Sequence, residues 1–196
     1  PEGLAACATL SAGLETLSAE RVGAEMRKLL AAPDPAPSLA SMAQSGVLQR
    51  VLPGAEARAL PVLVHLEAGR PPQWQRRLAV LGGDDPTDLW RLSRSESRDF
   101  GNIRDGLRED HSPAALGWQL GHLAPDAILA RAALIGIPPP EGWEDEVARG
   151  QVALCPVSAA DLMPNLQGPA LGARLKQIQA VWLQSNLRAT REALLA

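Results

Sequence analysis

The sequence predicts an all-α fold of roughly ten short helices with no sheet. Three observations predict it. Hydrophobic residues make up 46% of the 196 residues while aromatics contribute 3%, with one Phe and no Tyr. Leu and Ala dominate and β-branched residues are scarce, a balance that favours helices over strands. Apolar residues recur at helical spacing, and the breaks between these runs come from 17 Gly and 17 Pro beside cap-type residues.

Leu4, Cys7, Leu10, Leu14 and Leu17 share one helical face and predict a first helix. Ser18 is placed to cap the next, with Glu20 at its positive end, Lys28 near its negative end, and Val22, Met26 and Leu29 on one apolar face. The Pro-rich turn 31–37 ends it. Ser38 is expected to cap a short helix carrying Leu39 and Met42, closed by Gly46. The segment 47–54 reads as a hydrophobic hinge into a helix at 60–68, and a helix at 73–81 stops at Gly82-Gly83. Asp84 to Asp88 starts a short helix around Pro86. Ser93-Arg-Ser-Glu96 is a capping box opening a helix with Phe100, Ile103 and Leu107 on one face. Ser112-Pro113 supplies a cap and first-turn proline before Leu116, Leu120 and Leu123. Pro125 begins a helix through Ile128, Leu129 and Ala132, ended by Gly136. A short helix over 143–149, a second Ser-x-x-Asp start at Ser158–Asp161, a long helix opened by Gly168-Pro169 and last turns at 188–195 complete the series. No fixed repeat period marks a solenoid.

Net charge is −3, from 19 basic and 22 acidic residues, so nucleic-acid binding would need a local basic patch. Cys7 and Cys155 are isolated, which suits a reducing cytoplasm. No apolar run approaches the roughly 18 residues of a membrane span, and no signal-peptide pattern opens the chain. A start on Pro1 rather than Met leads us to expect a piece of something longer. The best internal boundary falls in the linker at 137–142 or at 150–156.

No catalytic constellation is visible. Asp84-Asp85 is adjacent rather than alternating and reads as an anion pair at a helix start. Glu144-Asp145 with Arg149 reads as a solvated helix face. His65, His111 and His122 are scattered without a second ligand at metal spacing; His65 is expected at the edge of the core. The Trp residues at 74, 90, 118, 143 and 182 fall at packing positions. Basic residues do cluster. At about 100° per residue, Arg94, Arg98, Arg104 and Arg108 fall within roughly 120° of arc, opposite Phe100, Ile103 and Leu107. Arg91 extends the row and Arg76 with Arg77 lie on the preceding helix, so these seven are candidate phosphate contacts. The ordinary alternative is a solvated face, since Asp105 and Glu109 share the arc.

Several segments together resemble the bacterial CCA-adding enzyme and poly(A) polymerase family, particularly its alphaproteobacterial members. Leu17-Ser-Ala-Glu-Arg-Val-Gly-Ala-Glu-Met-Arg-Lys-Leu-Leu30 is similar to the family's neck motif. Met42-Ala-Gln-Ser-Gly-Val-Leu48 with Arg50-Val-Leu-Pro-Gly54, Arg77-Leu-Ala-Val-Leu81, Leu92-Ser-Arg-Ser-Glu96 and Trp118-Gln-Leu-Gly121 with Asp126 follow in the family's order. Pro156-Val-Ser-Ala-Ala-Asp-Leu-Met163, Gly168-Pro169 with Gly172, and Trp182 resemble its tail, although Pro164-Asn165 stands where the tail usually carries Gly.

The resemblance implies an end of the neck and start of the body at 1–54, a helical body at 55–150 and a helical tail at 151–196. It implies that Ser18, Glu20, Arg21 and Glu25 stabilise the neck. It further implies a cytoplasmic protein that binds tRNA or other RNA by shape and phosphate contacts, with no membrane partner. Its partner would be the catalytic head of the same parent chain, where magnesium and CTP or ATP would act. Neither the family's Asp-x-Asp nor its Glu-Asp-x-x-Arg run occurs here. This chain is therefore expected to hold no metal or cofactor and to be inactive alone. A helical protein-interaction scaffold that binds no nucleic acid is the alternative.

Overall fold

The computed structural model describes residues 11–163 and 165–196, without the side chains of Ser11, Ala12 and Glu15. The described residues form helices and turns, and their one β contact is an isolated bridge between Ala55 and Gly82. The all-α expectation holds. Contacts divide the chain into two compact units, residues 1–107 with 126–139, and residues 108–125 with 140–196.

In the first unit, a 3-10 turn Ser11–Thr16 leads into α1 (Ala19–Leu30). The Ser18 hydroxyl accepts from the Arg21 amide at 3.3 Å, as the sequence predicts. Leu4, Cys7 and Leu10 of the expected first helix lie outside the described residues. Three short helices follow, α2 (Ala36–Gln44), α3 (Val47–Val51) and α4 (Leu60–Leu66). The second begins at Ala36 rather than at Ser38, because the Asp34 carboxylate takes the Ala36 amide at 3.0 Å. Then come α5 (Trp74–Leu81), α6 (Pro86–Leu89) and α7 (Arg94–Arg108). The capping box of α7 forms in full: the Ser93 amide donates to Glu96 at 2.8 Å and the Glu96 amide to the Ser93 hydroxyl at 3.3 Å.

The core of this unit is built from Leu30, Leu39, Leu48, Leu60, Leu78, Trp90 and Ile103. It also takes α9 (Ala124–Ile135), which buries Ala127, Ile128, Leu129 and Ala130 in succession. A helix apolar on nearly every side has to sit inside. Its single buried acid, Asp126, therefore needs a partner. His65 is exposed, not at the core edge as expected: α4 turns Leu60 and Leu63 inward, and His65 falls on the outer face.

The second unit begins with α8 (Pro113–Leu120), which packs against α10 (Trp143–Gln151). The two cross closely because Gly117 faces the Val147 carbonyl and Gly150 faces the Ala114 carbonyl, where a Cβ would collide. The helix expected through Leu123 instead breaks at Gly121 (φ 56°) into a 3-10 turn. The remaining helices are α11 (Ala159–Leu162), α12 (Gly168–Gln184) and α13 (Arg191–Leu195). Their core gathers Ala115, Val157, Ile178, Trp182, Leu187 and Leu194. Trp118 meets Trp182 edge to face, with ring centres 5.5 Å apart. Pro164, the departure from the tail pattern, lies outside the described residues.

Candidate RNA-binding surface

The basic residues separate by burial. Arg76 and Arg77 are 3% and 1% exposed. No phosphate reaches them, so they leave the row of candidate contacts. On α5 they point inward with Leu78 and Leu81; the sequence shows two adjacent arginines but not that Glu67 and Asp126 are buried to receive them. Arg76 donates to Glu67 at 2.9 and 2.7 Å and to Asp126 at 2.5 Å. Arg77 donates to the other Glu67 oxygen at 2.7 Å and to the carbonyls of Leu30 at 2.7 Å, Pro33 at 3.1 Å and Ala32. It thereby holds the C-terminal end of α1, whose last carbonyls have no intrahelical donor. A signal was available: Glu67 ends an apolar run, and Asp126 is an acid in an apolar helix.

Arg91, Arg94, Arg98 and Arg108 are exposed, and Arg104 is half-buried. Arg104 lies 5.5 Å over the Phe100 ring. Arg98 pairs with the neighbouring Asp99 at 3.3 Å. Phe100 and Ile103 are buried, as their spacing predicts, and Arg104 borders the face they form.

The beginning of α7 is tied to α1 by several contacts. Trp90 is fully buried and donates from its indole nitrogen to the Val51 carbonyl at 2.8 Å. Its own carbonyl lies where a Cβ on Gly23 would stand. Arg91 approaches Glu20 at 3.6 Å, and Arg27 approaches Glu96 at 3.8 Å while lying 6.0 Å over the Trp74 ring. Hydrogen bonding to its own amide and to the Ser18 hydroxyl, aided by Arg91, holds the exposed Glu20 carboxyl below the usual range. Burial pushes Glu96 upward, but the Ser93 amide and hydroxyl and Arg27 outweigh it, so this acid too stays ionised more readily.

On another face of α1, Arg21 and Glu25 are exposed beside an apolar groove of about 390 Å³. Leu17, Val22, Leu29, Met42 and Val47 line it. Among the described residues, no group of three His, Cys, Asp or Glu side chains is placed to hold a metal ion, and no helix is long and apolar enough to cross a membrane. Trp90 and Trp182 are packing residues, as expected. Arg149 is not simply part of a solvated face: it pairs with Glu146 at 2.7 Å and donates to the Asn186 carbonyl at 3.0 Å.

Comparison with known families supports a nucleic-acid reading of the opening segment. A family model described as "Probable RNA and SrmB- binding site of polymerase A" matches residues 1–58. No curated protein matches the chain. The opening segment is therefore similar to an RNA-binding region of the poly(A) polymerase family, and RNA is the partner this similarity supports. The match covers the 3-10 turn and α1 to α3. The exposed candidate phosphate contacts lie beyond its end, Arg94, Arg98, Arg104 and Arg108 on α7 and Arg91 in the turn before it.

Proposed function

We propose that this chain is the RNA-binding helical portion, from the end of the neck through body and tail, of a CCA-adding enzyme or a closely related poly(A) polymerase. It positions an RNA 3′ end, that of tRNA foremost, for a catalytic head that uses magnesium with CTP and ATP. The chain's own contribution is binding and orientation in the cytoplasm. The observation that carries the reading is the family match over 1–58, adjoined by an exposed arginine row on α7. Guanidinium groups spaced along one helix face bind phosphates through paired N–H donors, with little dependence on base sequence.

Binding of a labelled tRNA transcript and of an unstructured RNA of equal length, each at two salt concentrations, tests the proposal. Tighter binding to tRNA that weakens steeply with salt is expected. The double substitution Arg94→Glu with Arg98→Glu should weaken tRNA binding at least about tenfold, since two attractive contacts become repulsive. Helicity should stay unchanged because neither side chain packs in the core. Unchanged affinity would remove this face from the reading.

A second reading rests on the apolar groove beside α1. The matched description names SrmB beside RNA, and an apolar groove suits a protein partner better than a polyanion. Such binding would persist at high salt.

A further inference from the structure

Four described residues other than glycine adopt the left-handed backbone region: Ala68, Arg91, Asn186 and Leu187. This conformation crowds a side chain against its own carbonyl, and glycine adopts it far more cheaply. Asn186 offsets the strain with side-chain hydrogen bonds to Ser112 and Arg149, and Leu187 by burial. Ala68 has the smallest side chain the position can carry short of glycine. Arg91 has a large one that is 60% exposed. Its ion pair with the still more exposed Glu20 spans 3.6 Å, and such pairs contribute little.

The surrounding turn dictates the strain. Trp90 is fixed from both ends, by its indole bond to Val51 and by its carbonyl against Gly23. The Leu92 amide returns to the Thr87 carbonyl at 2.9 Å, and Ser93 must start the capping box of α7. Between these constraints the chain turns at one residue, with φ 49°. That residue stands where the family-matched segment meets the first exposed arginines of α7. Nothing in its packing requires an arginine, and glycine would relieve the backbone.

We propose that Arg91 contacts an RNA phosphate and, from this strained turn, joins the matched segment and the α7 arginine row into one binding face. The inference rests on the RNA-binding reading above and adds to it that strain is retained for the charge. Glu20 is the side chain that a phosphate displaces.

Two substitutions test this in the full chain, with a labelled tRNA transcript as probe. Arg91→Gly removes both strain and charge; Arg91→Lys keeps both. Arg91→Gly is expected to raise the thermal midpoint while weakening tRNA binding about three- to tenfold, and to lower the slope of log affinity against log salt by close to one. Arg91→Lys should stay within about threefold of the parent in affinity, with the slope intact. A purely structural residue would move the midpoint and leave the slope alone. If the parent binds tRNA and Arg91→Gly binds equally well with the same slope, this inference fails and the wider reading stands. If the parent does not bind tRNA, both fall.

Discussion

Arg77 has the most satisfied guanidinium among the residues described above. Its bonds to Glu67 and to the carbonyls of Leu30, Ala32 and Pro33 connect α1 to two other helices inside the core. Replacing it with Met would leave carbonyls and part of a buried carboxylate without donors. Removing one member of a buried ion pair typically costs about 3–5 kcal/mol. Arg77→Met should therefore lower the urea unfolding free energy by that order, and a loss below about 1 kcal/mol would contradict the assigned role. Asp161 makes the opposite case at the surface. The Ser158 amide, then Arg191, then the Ser158 hydroxyl hold its carboxyl at about 2, from an ordinary 3.8. A depressed carboxylate contributes stability above its ordinary value and loses it as pH falls through the folded one. The clasp between α11 and α13 should thus be intact above about pH 4 and weaken toward pH 2. Carbon-detected NMR titration of the side chain checks this, and Arg191→Ala should move the midpoint upward. A midpoint that did not move would show that Arg191 has no part in it.

Among the elements, the crossing of α8 and α10 depends on the absence of side chains at Gly117 and Gly150. Gly150→Ala would drive a methyl into the Ala114 carbonyl and is expected to cost about 1–3 kcal/mol or more. Gly172 lies in exposed helix with nothing near its missing Cβ. Gly172→Ala should instead stabilise by about 0.5–1 kcal/mol, through helix propensity. Paired thermal melts would show opposite shifts; shifts of the same sign would mean that the close crossing is absent in solution. Helix existence was legible at this scale. Ser18, Ser93, Ser112 and Ser158 all stand at helix starts, because capping is local chemistry. The start of α2 at Ala36 differs from the Ser38 cap that the sequence predicts. There Asp34 outcompeted Ser38, and cap residues of equal quality leave such a choice to the neighbouring backbone.

At the scale of the whole molecule, the net charge of −3 means that RNA binding must come from a local concentration of basic residues. The exposed arginines of α7 with Arg91 form such a concentration, and the charge-reversal and salt experiments proposed above bear on the chain as a whole. Raising salt should weaken the unaltered chain more steeply than the Arg94→Glu, Arg98→Glu variant, since fewer counterions return when fewer phosphates are contacted. Equal slopes would place the contacts elsewhere.

Composition, helical spacing and cap residues determined the all-α class, most helix starts and the buried face of α7, and the Leu17–Leu30 motif carries the likeness of the opening segment to an RNA-binding region. Each of these depends on residues within a few turns of one another. Tertiary structure alone decided which arginines face outward. Arg76 and Arg77 are as basic in sequence as Arg94 and Arg98, but Glu67 from the preceding helix end and Asp126 from a distant helix meet them in the core. Burial is a property of the packed molecule, and a charge inside it is stable only where another segment brings its counter-charge. The same holds at Arg91, where the bond of Trp90 to α3 and its close approach to Gly23 of α1 impose a backbone shape that no local pattern announces.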